Sequence, residues 1–142
     1  MKKSMYVCAI LMGFLFLMAC STALTKADID PWLQEVAGDT EASINIEGRW
    51  QDVKADPNNP FGWGKGLFEQ EGNRVTGSLG DYKIEGKVSG DTAYLVFLSG
   101  GEVYYTTRLE RHEDDTLRGD YFHSDDKEQK QGQPIALERV EK

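Results

Sequence analysis

The sequence contains very little cysteine. Only Cys8 and Cys20 are present, Cys8 within an apolar run near the N-terminus and Cys20 directly after that run. A small domain without a disulfide framework must be stabilised by its hydrophobic core. The chain of 142 residues has room for one such domain and not for two well-packed ones.

Helical periodicity is also missing after residue 43. Apolar and polar residues alternate there with period two, and turn residues separate the alternating segments. Pairs such as Gly80-Asp81 and Gly100-Gly101 suit tight hairpins. The pattern predicts eight strands, at 43–53, 64–71, 73–79, 82–89, 92–99, 102–111, 116–123 and 134–141.

Four of these strands carry a glycine between two apolar residues, on the face that the apolar residues share. The four are Gly48, Gly77, Gly86 and Gly119. Glycine in the middle of a strand marks a sharp bend or a close approach of another group. We therefore predict an all-β domain over residues 43–142, an eight-stranded antiparallel up-and-down β-barrel, which leaves no free sheet edge. A two-sheet β-sandwich is the alternative.

Basic residues are outnumbered, with 16 Lys and Arg against 24 Asp and Glu, and the net charge is −8. Residues 1–19 contain two lysines and no acidic residue, so their removal would change the net charge to −10. A chain this acidic is not expected to bind nucleic acid or to be drawn electrostatically to anionic lipid.

Residues 1–19 have the composition of an export signal. Lys2 and Lys3 precede an apolar run over residues 6–18, which is shorter than the roughly 20 residues of a membrane span. The run leads into Leu17-Met18-Ala19-Cys20, which resembles the lipobox that ends the signal peptide of a bacterial lipoprotein. The resemblance implies that Cys20 is the lipidation site and that its acyl chains anchor the protein in the cell envelope, at the outer membrane where the cell has two membranes. The alternative is an ordinary secretory signal in which the cysteine occurs by chance.

Residues 20–42 form the predicted tether, and one short helix is expected within it. Asp30 suits the N-cap, Pro31 the first helical position and Gly38 the end. Trp32 would lie on the apolar face of this helix. That face is expected to pack on the barrel, and an exposed Trp32 that docks a partner is the alternative.

Gly48-Arg49-Trp50 on the first predicted strand resembles the G-x-W motif of the calycin superfamily, which includes the lipocalins. In that superfamily the tryptophan closes one end of the barrel and an arginine near the last strand packs over it, a place that Arg139 occupies here. The resemblance implies that Gly48, Trp50 and Arg139 close the barrel, and that the protein binds a small apolar or amphiphilic ligand.

Strand alternation places a set of aromatic side chains inside the barrel. The candidate ligand-binding residues among them are Trp50, Phe68, Tyr82, Tyr105 and Tyr121. Trp63, just before the second strand, is placed to cover a barrel mouth. A filled barrel would instead be a protein–protein interaction module, an adaptor or an inhibitor of an envelope enzyme, that binds an envelope protein.

Residues for catalysis or metal binding are not evident. His112 and His123 each begin a short acidic cluster, but the fold would place them about 23 Å apart, too far for one ion. No serine lies in a G-x-S-x-G setting. We therefore expect no catalytic residue, no metal and no cofactor, and a protein that is not an enzyme.

Overall fold

A computed structural model describes residues 23–53 and 62–140. A short 3₁₀ turn, Lys26–Asp28, leads into helix α1, Ile29–Ala37. Eight strands follow: β1 Gly48–Asp52, β2 Lys65–Glu71, β3 Arg74–Leu79, β4 Tyr82–Ser89, β5 Thr92–Ser99, β6 Glu102–Arg111, β7 Thr116–His123 and β8 Gln133–Arg139. Each strand pairs antiparallel with the next, and β8 pairs with β1. The closed up-and-down barrel confirms the predicted fold, and the β-sandwich is wrong.

The two ends of the barrel differ. One end, which we call the mouth, contains the last residues of β1, β3, β5 and β7. The other end, which we call the closed end, contains the hairpins that follow β2, β4 and β6, together with the start of β1.

The first strand is shorter than predicted, since it begins at Gly48 and not at residue 43. The preceding residues lie across the closed end, where Ile46 is fully buried. The Gln70 side chain accepts a hydrogen bond from the Ile46 N–H at 2.9 Å and donates one to the Ile44 carbonyl at 3.1 Å. A side chain therefore takes the place of a neighbouring strand, while the apolar alternation continues unchanged.

The mid-strand glycines lie where neighbouring backbone comes very close. A Cβ atom on Gly119 would overlap the carbonyl oxygen of Arg108 on β6, and one on Gly77 would overlap that of Leu67 on β2. Gly77 also has a φ of 151°, which side-chain-bearing residues rarely adopt. These positions let the strands coil tightly enough to close the barrel.

Helix α1 starts earlier than predicted. Its N-cap is Asp28 and not Asp30, because the Thr25 backbone and hydroxyl groups bind the Asp28 carboxylate and form a capping box one turn earlier. Pro31 lies in the first turn, where its missing N–H costs no helical hydrogen bond. Gly38 follows the last turn with a φ of 67°, so the predicted end is confirmed.

The helix packs on the outer face of β5, which explains why that strand is apolar on both faces. Trp32 is only 5% exposed, and its Nε1 donates to the Lys127 carbonyl at 2.9 Å. An exposed Trp32 is therefore wrong, and the described part of the predicted tether is buried on the barrel from Leu24 onward at Leu24, Ile29, Trp32 and Leu33. This outer cluster consists of Leu24, Ile29, Trp32, Leu33, Val96, Leu98 and Val103.

The barrel interior holds a second, larger cluster that is continuous along its length. It extends from Ile46 and Trp50 at the closed end to Phe97 near the mouth. Its remaining fully buried members are Phe68, Val75, Leu79, Ile84, Val88, Ala93, Leu95, Leu109, Leu117 and Leu137. The side chains in this cluster supply most of the apolar burial that holds the domain together without a disulfide.

Candidate functional site at the barrel mouth

An aromatic group occupies the mouth, with Trp63 at its centre. The Trp63 ring centroid lies 4.9 Å from that of Tyr121, 5.0 Å from Phe97 and 5.3 Å from Tyr105, in edge-to-face arrangements. Tyr82 lies 6.1 Å away and is tilted. Such contacts are worth about 0.5–1.5 kcal/mol per pair beyond simple burial. The rings therefore hold one another in place.

Backbone contacts at the end of β1 position Trp63. Its N–H donates to the Asp52 carboxylate at 3.0 Å, and the Asp52 N–H donates to the Gly64 carbonyl at 3.0 Å. Asp52 is largely buried. Trp63 is thus fixed to the barrel wall before β2 begins, although it belongs to no strand.

A depression of about 700 Å³ opens at this end. We call its aromatic lining, Trp63, Tyr82, Tyr104, Tyr105 and Tyr121, the aromatic cup. Gly62, Gly64, Gly80, Asp81 and Ser99 complete the wall. Asp81 is the one charged side chain among these lining residues.

The tyrosines of the aromatic cup give it a polar edge. The Tyr121 hydroxyl donates to Gln133 Oε1 at 2.6 Å. Burial raises the pKa of the Tyr82 phenol above its ordinary value of 10.0, and the nearby Tyr105, Tyr104 and Asp81 add to the effect. Tyr82 therefore remains a neutral hydrogen-bonding group at physiological pH.

Tyr104 enters the aromatic cup through an irregularity in the sheet. The register between β5 and β6 shifts at Phe97/Leu98, so that Phe97 pairs with Tyr105, Leu98 pairs with Val103, and Tyr104 is left without a partner residue. A bulge of this kind redirects a side chain. Tyr104 is 44% exposed, whereas the other four rings of the aromatic cup are half-buried. Tyr104 is therefore the most accessible ring of the cup.

The predicted ligand-binding residues do not form one group. Tyr82, Tyr105 and Tyr121 line the depression, as part of the aromatic cup. Trp50 and Phe68 are fully buried towards the closed end, with ring centroids 6.4 Å apart. All five point inward, but Trp50 and Phe68 fill the core and present no surface to a ligand.

The residues implied by the calycin resemblance meet at the closed end. The Arg139 guanidinium lies 4.4 Å from the Trp50 ring centroid, and its Nη1 donates to the Glu47 carbonyl at 2.6 Å. The Trp50 Nε1 donates to the Ile46 carbonyl at 2.8 Å. A Cβ atom on Gly48 would displace the Arg139 guanidinium from its present position, and the φ of 134° at Gly48 also disfavours any other residue.

The remaining candidates give no second site. His112 follows β6 at the closed end, and His123 ends β7 at the mouth. Across residues 23–53 and 62–140, no three His, Cys, Asp or Glu side chains are grouped so that they could hold a metal ion. The predicted lipidation site, Cys20, lies outside the described residues.

Sequence reasoning did not find Phe97 or Tyr104. Phe97 belongs to β5, which is apolar on both faces, so alternation alone does not show which of its residues point inward. Tyr104 occupies the bulge. The adjacent pair Tyr104-Tyr105 was the available signal, because two neighbouring tyrosines near a hairpin cannot both follow the alternation.

Comparisons with known proteins assign neither a family nor a function to this chain. No protein family, no curated protein and no solved structure matches this chain. None of the helices in the described ranges, 23–53 and 62–140, has the length and apolar character needed to cross a membrane.

Proposed function

We propose that this chain is a lipid-anchored lipoprotein of the bacterial cell envelope, whose barrel binds a small apolar or amphiphilic molecule in the aromatic cup. The acyl chains on Cys20 are the anchor, and in a cell with two membranes the outer one is the location. The protein acts by binding, without a cofactor and without catalysis. The single observation that carries the binding role is the aromatic cup itself.

The position of Cys20 supports the anchor. The first buried residue in the described part of the chain is Leu24, which is 4% exposed. Cleavage before Cys20 would remove none of the described residues. Processing would therefore leave every described contact of the barrel and helix intact.

The chemistry of the aromatic cup supports the type of ligand. Ligand sites typically have volumes of roughly 300–1,000 Å³. The depression, at about 700 Å³, falls in this range. Aromatic faces would hold the apolar part of the molecule, while phenol groups of Tyr82 and its neighbours would bind a polar end. Asp81 favours a neutral or cationic end over an anionic one.

A titration with N-phenyl-1-naphthylamine, a small uncharged apolar fluorophore, tests this proposal. We expect saturable binding with one probe per chain, accompanied by quenching of tryptophan emission by energy transfer. Tyr104→Ala should weaken binding at least about five-fold, because the loss of an aromatic contact is worth about 1 kcal/mol or more.

Leu67→Ala is the matched control for that variant. Leu67 is 43% exposed, close to the 44% of Tyr104, but it lies on the outer face of β2 and does not line the depression. Its affinity for the probe should equal that of the wild type. Equal weakening by both substitutions, or by neither, would show that the probe binds elsewhere.

A protein–protein interaction module is the second candidate, favoured by the continuous side-chain packing inside the barrel. Trp32, the docking residue considered from the sequence, is buried, and α1 covers the apolar outer face of β5. The mouth, with the exposed Tyr104, is the surface that remains for an envelope protein. Cross-linking in cells through a photoreactive residue in place of Tyr104 would capture such a partner.

A further inference from the structure

The packed chain begins at the mouth end of the barrel. The Leu24 N–H donates to the Ser124 carbonyl at 2.9 Å, and Ser124 directly follows β7. The Ser124 N–H donates in turn to the carbonyl of Tyr104, a member of the aromatic cup, at 3.1 Å. The segment that follows Cys20 therefore joins the barrel beside the cup.

Helix α1 then leads the chain away from the mouth. After the helix, Asp39 pairs with Lys87 near the end of β4 at 3.1 Å. The Ser43 N–H donates to the Gly90 carbonyl at 2.8 Å, in the hairpin between β4 and β5. Contacts with closed-end residues begin within the helix itself, since Asp30 in its first turn pairs with Arg74 at the start of β3 at 3.3 Å. The chain therefore crosses from the mouth at Leu24 to the closed end along α1, and an anchor that precedes Leu24 acts on the mouth end.

We propose that the mouth of the barrel faces the lipid bilayer that holds the acyl chains, so that the bilayer surface lies against the aromatic cup. This orientation rests on the proposed acylation of Cys20. Only four residue steps separate Cys20 from Leu24, and four extended residues span at most about 14 Å. The buried Leu24 can therefore lie no farther than this from the acylated residue.

The length of the barrel excludes the reverse orientation. Leu24 is level with Tyr104, and the seven residue steps from Tyr104 to the end of β6 at Arg111 extend for about 23 Å, which is about 18 Å along the barrel axis for a typical strand tilt. With the closed end on the membrane, Leu24 would lie about that far above the surface, beyond the roughly 14 Å that four residue steps can span. The tether would be too short to reach the bilayer.

The surface at the mouth suits a bilayer. Of the three exposed large hydrophobic residues in the described ranges, Tyr104 lines the mouth and Val53 follows β1 at the same end, each 44% exposed. Tyrosine is favoured at the membrane–water interface, where its ring and hydroxyl group meet different surroundings. These side chains would contact headgroups once the tether brings the mouth to the surface.

Paramagnetic relaxation on acylated, full-length mature protein tests the orientation. Glu102→Cys and Glu113→Cys each introduce one exposed thiol, the first at the mouth end of β6 and the second just beyond its closed end. Each variant is spin-labelled and placed in phosphatidylcholine vesicles that carry a nickel-chelating lipid headgroup. We expect the nickel-induced relaxation of the label at position 102 to be at least three-fold greater than at position 113.

A longer tether provides the second arm. Ten Gly and Ser residues inserted after Ser21 lengthen the reach beyond the height of the barrel, so the difference between the two labels should fall towards equality. Equal relaxation at both positions with the natural tether, or stronger relaxation at position 113, would overturn the orientation alone. An intact mass without acyl chains on Cys20 would overturn both the anchor and the orientation. If the relaxation difference between positions 102 and 113 survives the insertion, the short tether does not orient the barrel, and the argument from tether length is overturned.

Discussion

Replacement of Arg139 by alanine should destabilise the barrel by about 2–4 kcal/mol, although the side chain lies at the end of the last strand. Its guanidinium lies 4.4 Å from the Trp50 ring centroid, a cation–π contact worth about 0.5–2 kcal/mol. The hydrogen bond from Nη1 to the Glu47 carbonyl, at 2.6 Å, is exposed to solvent and adds about 1.5 kcal/mol, the lower end of the range for a charged donor. The ion pair with Asp115 at 2.7 Å adds less than about 1 kcal/mol, because the two side chains are 28% and 39% exposed.

Urea unfolding of the mature chain, followed by tryptophan fluorescence, measures this loss. Arg108→Ala is the matched control, because the Arg108 guanidinium lies 5.6 Å from the Phe122 ring centroid but on the exposed outer surface. We expect the control to lose less than about 1 kcal/mol. Equal losses for the two arginines would refute the account of the closed end, because burial and the Glu47 contact would then contribute nothing.

Three further substitutions test the helix, the strand bends and the mouth. Trp32→Ala should lower the free energy of unfolding in urea by about 3–5 kcal/mol. Trp32→Phe should lower it by about 1–3 kcal/mol, because the hydrogen bond to the Lys127 carbonyl is lost. Equal stability of the two variants would contradict this. Gly119→Ala should lower the free energy of unfolding by about 1–3 kcal/mol and lower the thermal midpoint, because the alanine methyl group would overlap the Arg108 carbonyl. An unchanged midpoint would show that β6 and β7 are not so closely spaced at this position. Folding raises the pKa of Tyr82 above 10.0, so the unfolded chain loses this proton first and the free energy of unfolding falls as the pH rises past 10.0. Tyr82→Phe should reduce that fall. Identical curves of stability against pH above 10.0 for the variant and the wild type would argue against the burial of the phenol.

The sequence predicted best the four strands from β4 to β7, the first three of which follow a glycine turn. The observed bounds of β4, β5, β6 and β7 equal the predicted ones. Gly80, Gly90 and Gly100 in the preceding hairpins all have φ values between 57° and 59°, a conformation that few other residues adopt. Such turns fix where a strand begins, so alternation between them leaves little freedom in register.

The start of the barrel was less predictable, because alternation records burial and not hydrogen bonding. Ile44 and Ile46 alternate with polar neighbours as a strand would, yet Gln70 supplies their hydrogen bonds. A long-range side-chain contact of this kind leaves no local pattern. The two-faced apolar character of β5 was similarly ambiguous until helix α1 was seen to cover its outer face.

The sequence predicted which side chains of the candidate site point into the barrel, but not how far each of them lies from the mouth. Alternation correctly placed both Phe68 and Tyr82 inside the barrel, but period two contains no information about distance from the mouth. Phe68 is consequently part of the filled core, whereas Tyr82 lines the depression. Tyr104 was missed because a bulge interrupts the alternation on which the prediction depended.

Native mass spectrometry of the acylated protein, purified from membranes of its own cells, tests the proposed binding role most directly. The account predicts that the wild-type chain retains one small apolar or amphiphilic molecule and that Tyr104→Ala retains much less of it. A wild-type chain that carries only its acyl groups, or equal retention by the two proteins, would contradict binding in the aromatic cup.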